Sequence, residues 1–138
     1  MTKAELSQLF YLNREIEAEQ RRIAELEAKA TNISAKVTGM PGGAGISDKT
    51  AIAAEIADCR AIVQAKVEQS IHEYNRLCRY IAGIDDSFMR QIISLRFING
   101  LTWNQVARRI GGGNTEEGVK KACYRYIRKS CPECPDKV

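Results

Sequence analysis

Apolar residues recur along the first part of the chain at alternating steps of three and four: Leu9, Leu12, Ile16, Ile23, Leu26, Ala30, Ile33 and Val37, with only Glu19 interrupting the series. Charged residues flank this stripe, with Phe10 and Tyr11 the large apolar side chains that fall between its members. A narrow stripe sustained over several heptads predicts one helix from about Thr2 to Val37 with a coiled-coil type of seam. TGMPGGAGISD, residues 38–48, then holds one proline and four glycines, which end a helix. Ser47 or Asp48 is the expected cap of a second helix from about Lys49 to Ala82. Its apolar positions are Ile52, Ile56, Cys59, Val63, Val67, Ile71 or Ser70, Tyr74, Leu77 or Cys78, and Ile81. Two helices of matched length, each roughly 50 Å at 1.5 Å per residue, joined by a glycine-rich loop, predict a long antiparallel coiled-coil hairpin.

A second break at Gly83, Ile84, Asp85 and Asp86 precedes three shorter periodic segments. Ser87 is the expected cap of FMRQIISLRFIN, with Phe88, Ile92, Leu95 and Ile98 inward, and Gly100 its left-handed C-terminal residue. Thr102 is the expected cap of WNQVARRI, with Trp103, Val106, Ala107 and Ile110 inward. Thr115 is the expected cap of EEGVKKACYRYIRK, with Val119, Cys123, Tyr126 and Ile127 inward. Glu116 and Glu117 suit the positive end of that helix dipole. The expected fold class is thus all-α: a helical hairpin over 1–83, a C-terminal tri-helical helix-turn-helix over 84–130, and a tail over 131–138.

Charge sharpens this division. The net charge is +4, and residues 1–47 and 48–84 are each balanced. Residues 87–130 carry nine Lys/Arg against only Glu116 and Glu117. An anionic partner would meet the chain there. On the third short helix, helical spacing sets Lys121, Tyr124, Arg125 and Arg128 opposite the inward positions, with Lys120 flanking them. These five are the candidates to face DNA bases. Thr102, Asn104, Arg108, Arg109 and Thr115 are the candidates to hold the DNA backbone. The glycines 111–113 permit the sharp turn that presents the third helix.

Other chemistry is thin. One histidine, no nucleophile elbow, no phosphate loop and no carboxylate cluster beyond the Asp85–Asp86 pair, which capping at a helix start explains, predict a non-enzyme. Cys131 and Cys134 form a lone CxxC, short of the four ligands of a zinc site, so no metal and no cofactor is expected. MTKAELSQLF lacks a signal-peptide pattern, and no run of about 18 apolar residues occurs. These features predict a cytoplasmic protein with reduced thiols and no membrane partner.

MRQIISLRFINGLTWNQVARRIG resembles region four of sigma-70-type factors, on Leu95, Arg96, Phe97, Gly100, Leu101, Val106, Ala107 and Gly111. The wider layout adds a long first helix, Gly39–Met40–Pro41, the ISDK step and a C-terminal RYI. It resembles the small phage and prophage transcriptional regulators of the ArpU/RinA type. GGGNT is longer and richer in glycine than the region-four turn. The resemblance implies sequence-specific binding of double-stranded DNA at phage or prophage promoters in a bacterial host, acting with host RNA polymerase. Limited burial in a two-helix hairpin adds the expectation of a homodimer. Two other readings share the same features: a small terminase-like DNA-packaging recognition subunit, and a protein-interaction adaptor whose basic helix meets an acidic partner.

Overall fold

The computed structural model describes residues 1–37 and 44–131, with the backbone alone for 33–37 and 44–47. It is all-helical among these residues: α1 Lys3–Val37, α2 Ala44–Ala82, α3 Ser87–Ile93, α4 Trp103–Ile110 and α5 Glu116–Ser130. The first helix pairs with the second, as the matched periodicities predict. The Gly39–Met40–Pro41 loop, the side chains of Ile33, Val37 and Ser47, and the tail beyond Cys131 lie outside the described residues. Helix α2 begins earlier than Lys49, so neither Ser47 nor Asp48 caps it; both stand within its first turns.

The chain divides into two compact units, 1–11 with 70–138, and 12–69. This division falls elsewhere than the expected boundary at 83/84. The reason lies in where the two long helices bury their ends: Leu6, Leu9, Leu77 and Ile81 belong to the same core as the short helices.

In the 12–69 unit, α1 and α2 run antiparallel, registered by ion pairs from Glu27 to Arg60 at 2.7 Å and from Glu15 to Lys66 at 3.1 Å. Leu12, Leu26 and Cys59 are buried. Ile16, Ile23, Ile52, Ile56, Val63 and Val67 are only half-buried. Exposed pairs of this kind contribute about 0–1 kcal/mol each, so they fix register more than they stabilise.

In the other unit, α1 opens with a reciprocal cap. The Glu5 N–H donates to Thr2 Oγ1 (3.1 Å) and the Thr2 N–H donates to Glu5 Oε2 (2.7 Å). These two bonds satisfy donors that a helix start leaves without partners. The Glu5 carboxylate also pairs with Arg76 of α2. Leu77 and Ile81 are buried; of the alternatives Ile71 or Ser70, Ser70 is the half-buried one and Ile71 is 55% exposed, while Tyr74, expected inside, is 46% exposed. The inward stripe of α2 here runs through Ser70, Glu73 and Leu77, with Glu73 rather than Tyr74 as the departure from the expected set.

Asp86, not Ser87, caps α3: its carboxylate accepts from the Phe88 N–H at 2.9 Å. Phe88 consequently points outward and Met89 is buried with Ile92 and Ile93. The helix continues as a π-helical turn over Ser94–Ile98. Each residue of a wider turn rotates less than in an α-helix, which returns Phe97 to the inward face, 5% exposed. Gly100 follows at φ +68, and Phe10 lies 3.6 Å from where its Cβ would stand. The left-handed backbone conformation calls for glycine there, while the Phe10 ring stands at ordinary van der Waals distance.

Candidate nucleic-acid interface

The core of the helix-turn-helix comes from alternating inward positions of α4 and α5. Trp103, Val106 and Ala107 meet Val119, Cys123 and Ile127, all buried. Ala107 and Val106 are small enough for α4 and α5 to lie close. Ile110 and Tyr126, expected inside, are half-buried at the margin of this core.

Thr102 builds a full capping box at the start of α4. Its hydroxyl accepts from the Gln105 N–H, and its own N–H donates to Gln105 Oε1 at 2.9 Å. The glycine turn then follows. Gly111 closes α4 at φ 67 and ψ −152, a conformation that belongs almost solely to glycine. Gly112 and Gly113 also have positive φ, 66 and 76, as the two central residues of a mirror-image β-turn require. Asn114 locks the turn by donating from its backbone N–H and its side-chain amide (2.7 Å) to the Gly111 carbonyl. Thr115 restarts the chain as the cap of α5, accepting from the Gly118 N–H at 3.1 Å. Three glycines between two helices are therefore one C-cap and one reversed turn, which fix the direction of α5.

Lys120, Lys121, Arg125 and Arg128 are exposed along α5. Glu117, one turn before Lys121, pairs with it at 3.1 Å. Tyr124 stands apart from the other four base-facing candidates. Its ring is half-buried, meets Trp103 edge to face with centroids 5.6 Å apart, and carries Lys3 Nζ 4.6 Å from its centroid. Tyr124 thus ties α4 and the first turn of α1 to α5, with its ring engaged by both Trp103 and Lys3. Lys3 is the residue that sequence reasoning missed; no periodicity links the start of α1 to α5.

The backbone candidates separate by place. Thr102 and Asn104 mark the start of α4, and both are exposed. Thr115 is exposed, with its hydroxyl oxygen engaged in the cap. Arg108 and Arg109 stand on the outer face of α4. Arg109 also borders a groove of about 490 Å³ that includes Arg90, Ser94 and Leu95. That places Arg109 along the α3 side of α4.

Arg96 has a structural post. Its guanidinium lies 5.0 Å from the Trp103 ring centroid and Nη1 donates to the Leu101 carbonyl at 2.7 Å. This clamps the joint between the π-turn and α4. The Cys123 thiol lies deep in the same core, where burial pushes its pKa up to about 12, against a smaller opposing pull from Arg96. A thiol so placed is a small hydrophobe rather than a nucleophile. Among the described residues, no group of His, Cys, Asp and Glu side chains comes together as a metal site. No described helix is long and apolar enough to cross a membrane.

Comparison with protein-family models, with curated proteins and with solved structures finds no match to this chain.

Proposed function

We propose that this chain is a sequence-specific DNA-binding transcriptional regulator, with α5 as the helix that enters the major groove. The observation that carries this reading is the conjunction of a fixed turn and a one-sided helix. Gly111–Asn114 sets the direction of α5, while Lys121, Arg125 and Arg128 stand on its outer side and Val119, Cys123 and Ile127 on its inner side. Arginine pairs bidentately with guanine, and lysine neutralises phosphate. Thr102 and Asn104 at the start of α4 suit contact with the sugar-phosphate backbone. The resemblance to region four of sigma-70-type factors points to phage or prophage promoters and to host RNA polymerase as a partner.

A single helix-turn-helix covers only about 600–1,000 Å², so tight binding calls for a second copy or a second protein. The half-buried seam of the 12–69 unit supports assigning oligomerisation to the helical hairpin. The test is titration of labelled duplex DNA at several salt concentrations with the wild type and a Lys121→Ala/Arg125→Ala double variant. The reading expects steep salt dependence for the wild type, and a weaker, shallower response for the variant. Equal binding by both proteins would refute the role of α5.

A further inference from the structure

Building on the DNA-binding reading above, we infer that Lys3 is a phosphate-contacting residue of the same interface, contributed by the first turn of α1. Tyr124 is four residues after Lys120 and four before Arg128, so these three side chains form one ridge of α5. Lys3 Nζ lies over the ring at the centre of that ridge. Its ammonium therefore joins the cations of α5 from outside the helix and widens the positive surface sideways. Trp103, the first residue of α4, packs on the same ring. The start of α1, the start of α4 and the Lys120–Arg128 ridge thus meet at Tyr124.

The position of Lys3 is built rather than incidental. The Thr2–Glu5 capping box fixes the turn that carries it. Glu5 is tied to Arg76, and Leu6 and Leu9 are 0% and 4% exposed within the shared core. Among the described residues, no carboxylate pairs with Lys3. Glu5, its nearest acid in sequence, is engaged by Thr2 and Arg76, and Glu117 is engaged by Lys121. A cluster of cations with few neutralising acids gains most from a polyanion laid along it. A cation beside the recognition helix meets the groove edge, where phosphates run, rather than the base edges. Lys3 is thus expected to add affinity without changing sequence preference.

The test uses the full chain and a fluorescein-labelled random-sequence duplex, with affinity measured by anisotropy between about 50 and 200 mM salt. Wild type is compared with Lys3→Gln, Lys3→Arg and Arg125→Gln. Loss of one phosphate contact lowers the slope of log affinity against log salt by about 0.9. The inference expects that loss in Lys3→Gln and its recovery in Lys3→Arg. A slope unchanged in Lys3→Gln while the wild type keeps its steep salt dependence would overturn the role of Lys3 and leave the DNA reading intact, whatever Arg125→Gln does. A lower melting temperature for Lys3→Gln with an unchanged slope would count the same way, as a purely structural lysine. A wild type whose binding ignores salt would overturn both.

Discussion

Trp103 and Tyr124 meet edge to face, with ring centroids 5.6 Å apart and planes at 73°, and this contact joins the first residue of α4 to the middle of α5. Arg96 lies against the indole and Lys3 against the phenol ring. Trp103 is 7% exposed, so its removal leaves a large cavity at the joint of the helix-turn-helix. Trp103→Ala is expected to cost about 3–5 kcal/mol, the usual range for such truncations. Trp103→Phe, which retains an aromatic edge, is expected to cost less. Urea unfolding of both variants checks the order.

The glycine turn offers a cleaner test, because a Cβ at Gly111 or Gly113 would have nothing within 4 Å. Any cost of Gly→Ala at these sites is therefore one of backbone conformation. At Gly113, φ is 76, and alanine is expected to cost about 1–2 kcal/mol, the penalty for the left-handed region. Gly111, at φ 67 and ψ −152, lies where a side chain is tolerated least, so Gly111→Ala is expected to cost more than Gly113→Ala. Thermal melts of the two single variants give the comparison directly.

Cys123 makes stability depend on alkaline pH. Its pKa rises from 9.0 to about 12 on burial, so between these values the folded thiol keeps a proton that the unfolded chain releases. The stabilising contribution is complete below pH 9 and declines as pH rises toward 12. Burial shifts Tyr80 in the same direction, so the decline is shared. Cys123→Ala is expected to be less stable at neutral pH and to show a flatter fall in unfolding free energy above pH 9. Denaturant titrations across that range measure the slope.

Glu117 restrains Lys121 through an exposed pair at 3.1 Å, with side chains 80% and 71% exposed. Such a pair adds little to stability, about 0.3–0.5 kcal/mol, while placing a negative charge on the face proposed to meet DNA. Glu117→Gln is expected to leave the melting temperature within a few degrees of wild type and to raise affinity for random-sequence duplex several-fold. Anisotropy titration at fixed salt would detect the change.

Much of this architecture was legible because local signals agreed. The Leu9–Leu26 heptads, the caps at Thr102 and Thr115, and the inward sets of α4 and α5 each follow from periodicity and capping chemistry. The differences arise where neighbouring residues compete or where tertiary contacts decide. Asp86 and Ser87 are both good caps; the choice of Asp86 shifts the helix start, and Met89 rather than Phe88 turns inward. The π-turn at Ser94–Ile98 has no pattern that a fixed 3.6-residue period could reveal. On α2, the pattern leaves Ile71 or Ser70 open and favours Tyr74, yet the stripe through Ser70, Glu73 and Leu77 faces inward. Near the short helices, packing by Leu77 and Ile81 settles the rotation of α2. Of the candidate interface, Lys121, Arg125 and Arg128 were legible from helical spacing. The engagement of Tyr124 by Trp103 and Lys3 depends on the folded arrangement of α1, α4 and α5.

Sequence reading by α5, as proposed, is open to direct selection. The most direct measurement is selection of bound duplexes from a randomised pool at about 150 mM salt, where non-specific electrostatic binding is weakened. Wild type would be run beside Arg125→Ala. Wild type is expected to enrich a defined motif, and Arg125→Ala to lose preference at some of its positions. A wild-type pool that stays random after repeated rounds, with folded protein throughout, would contradict sequence reading by α5.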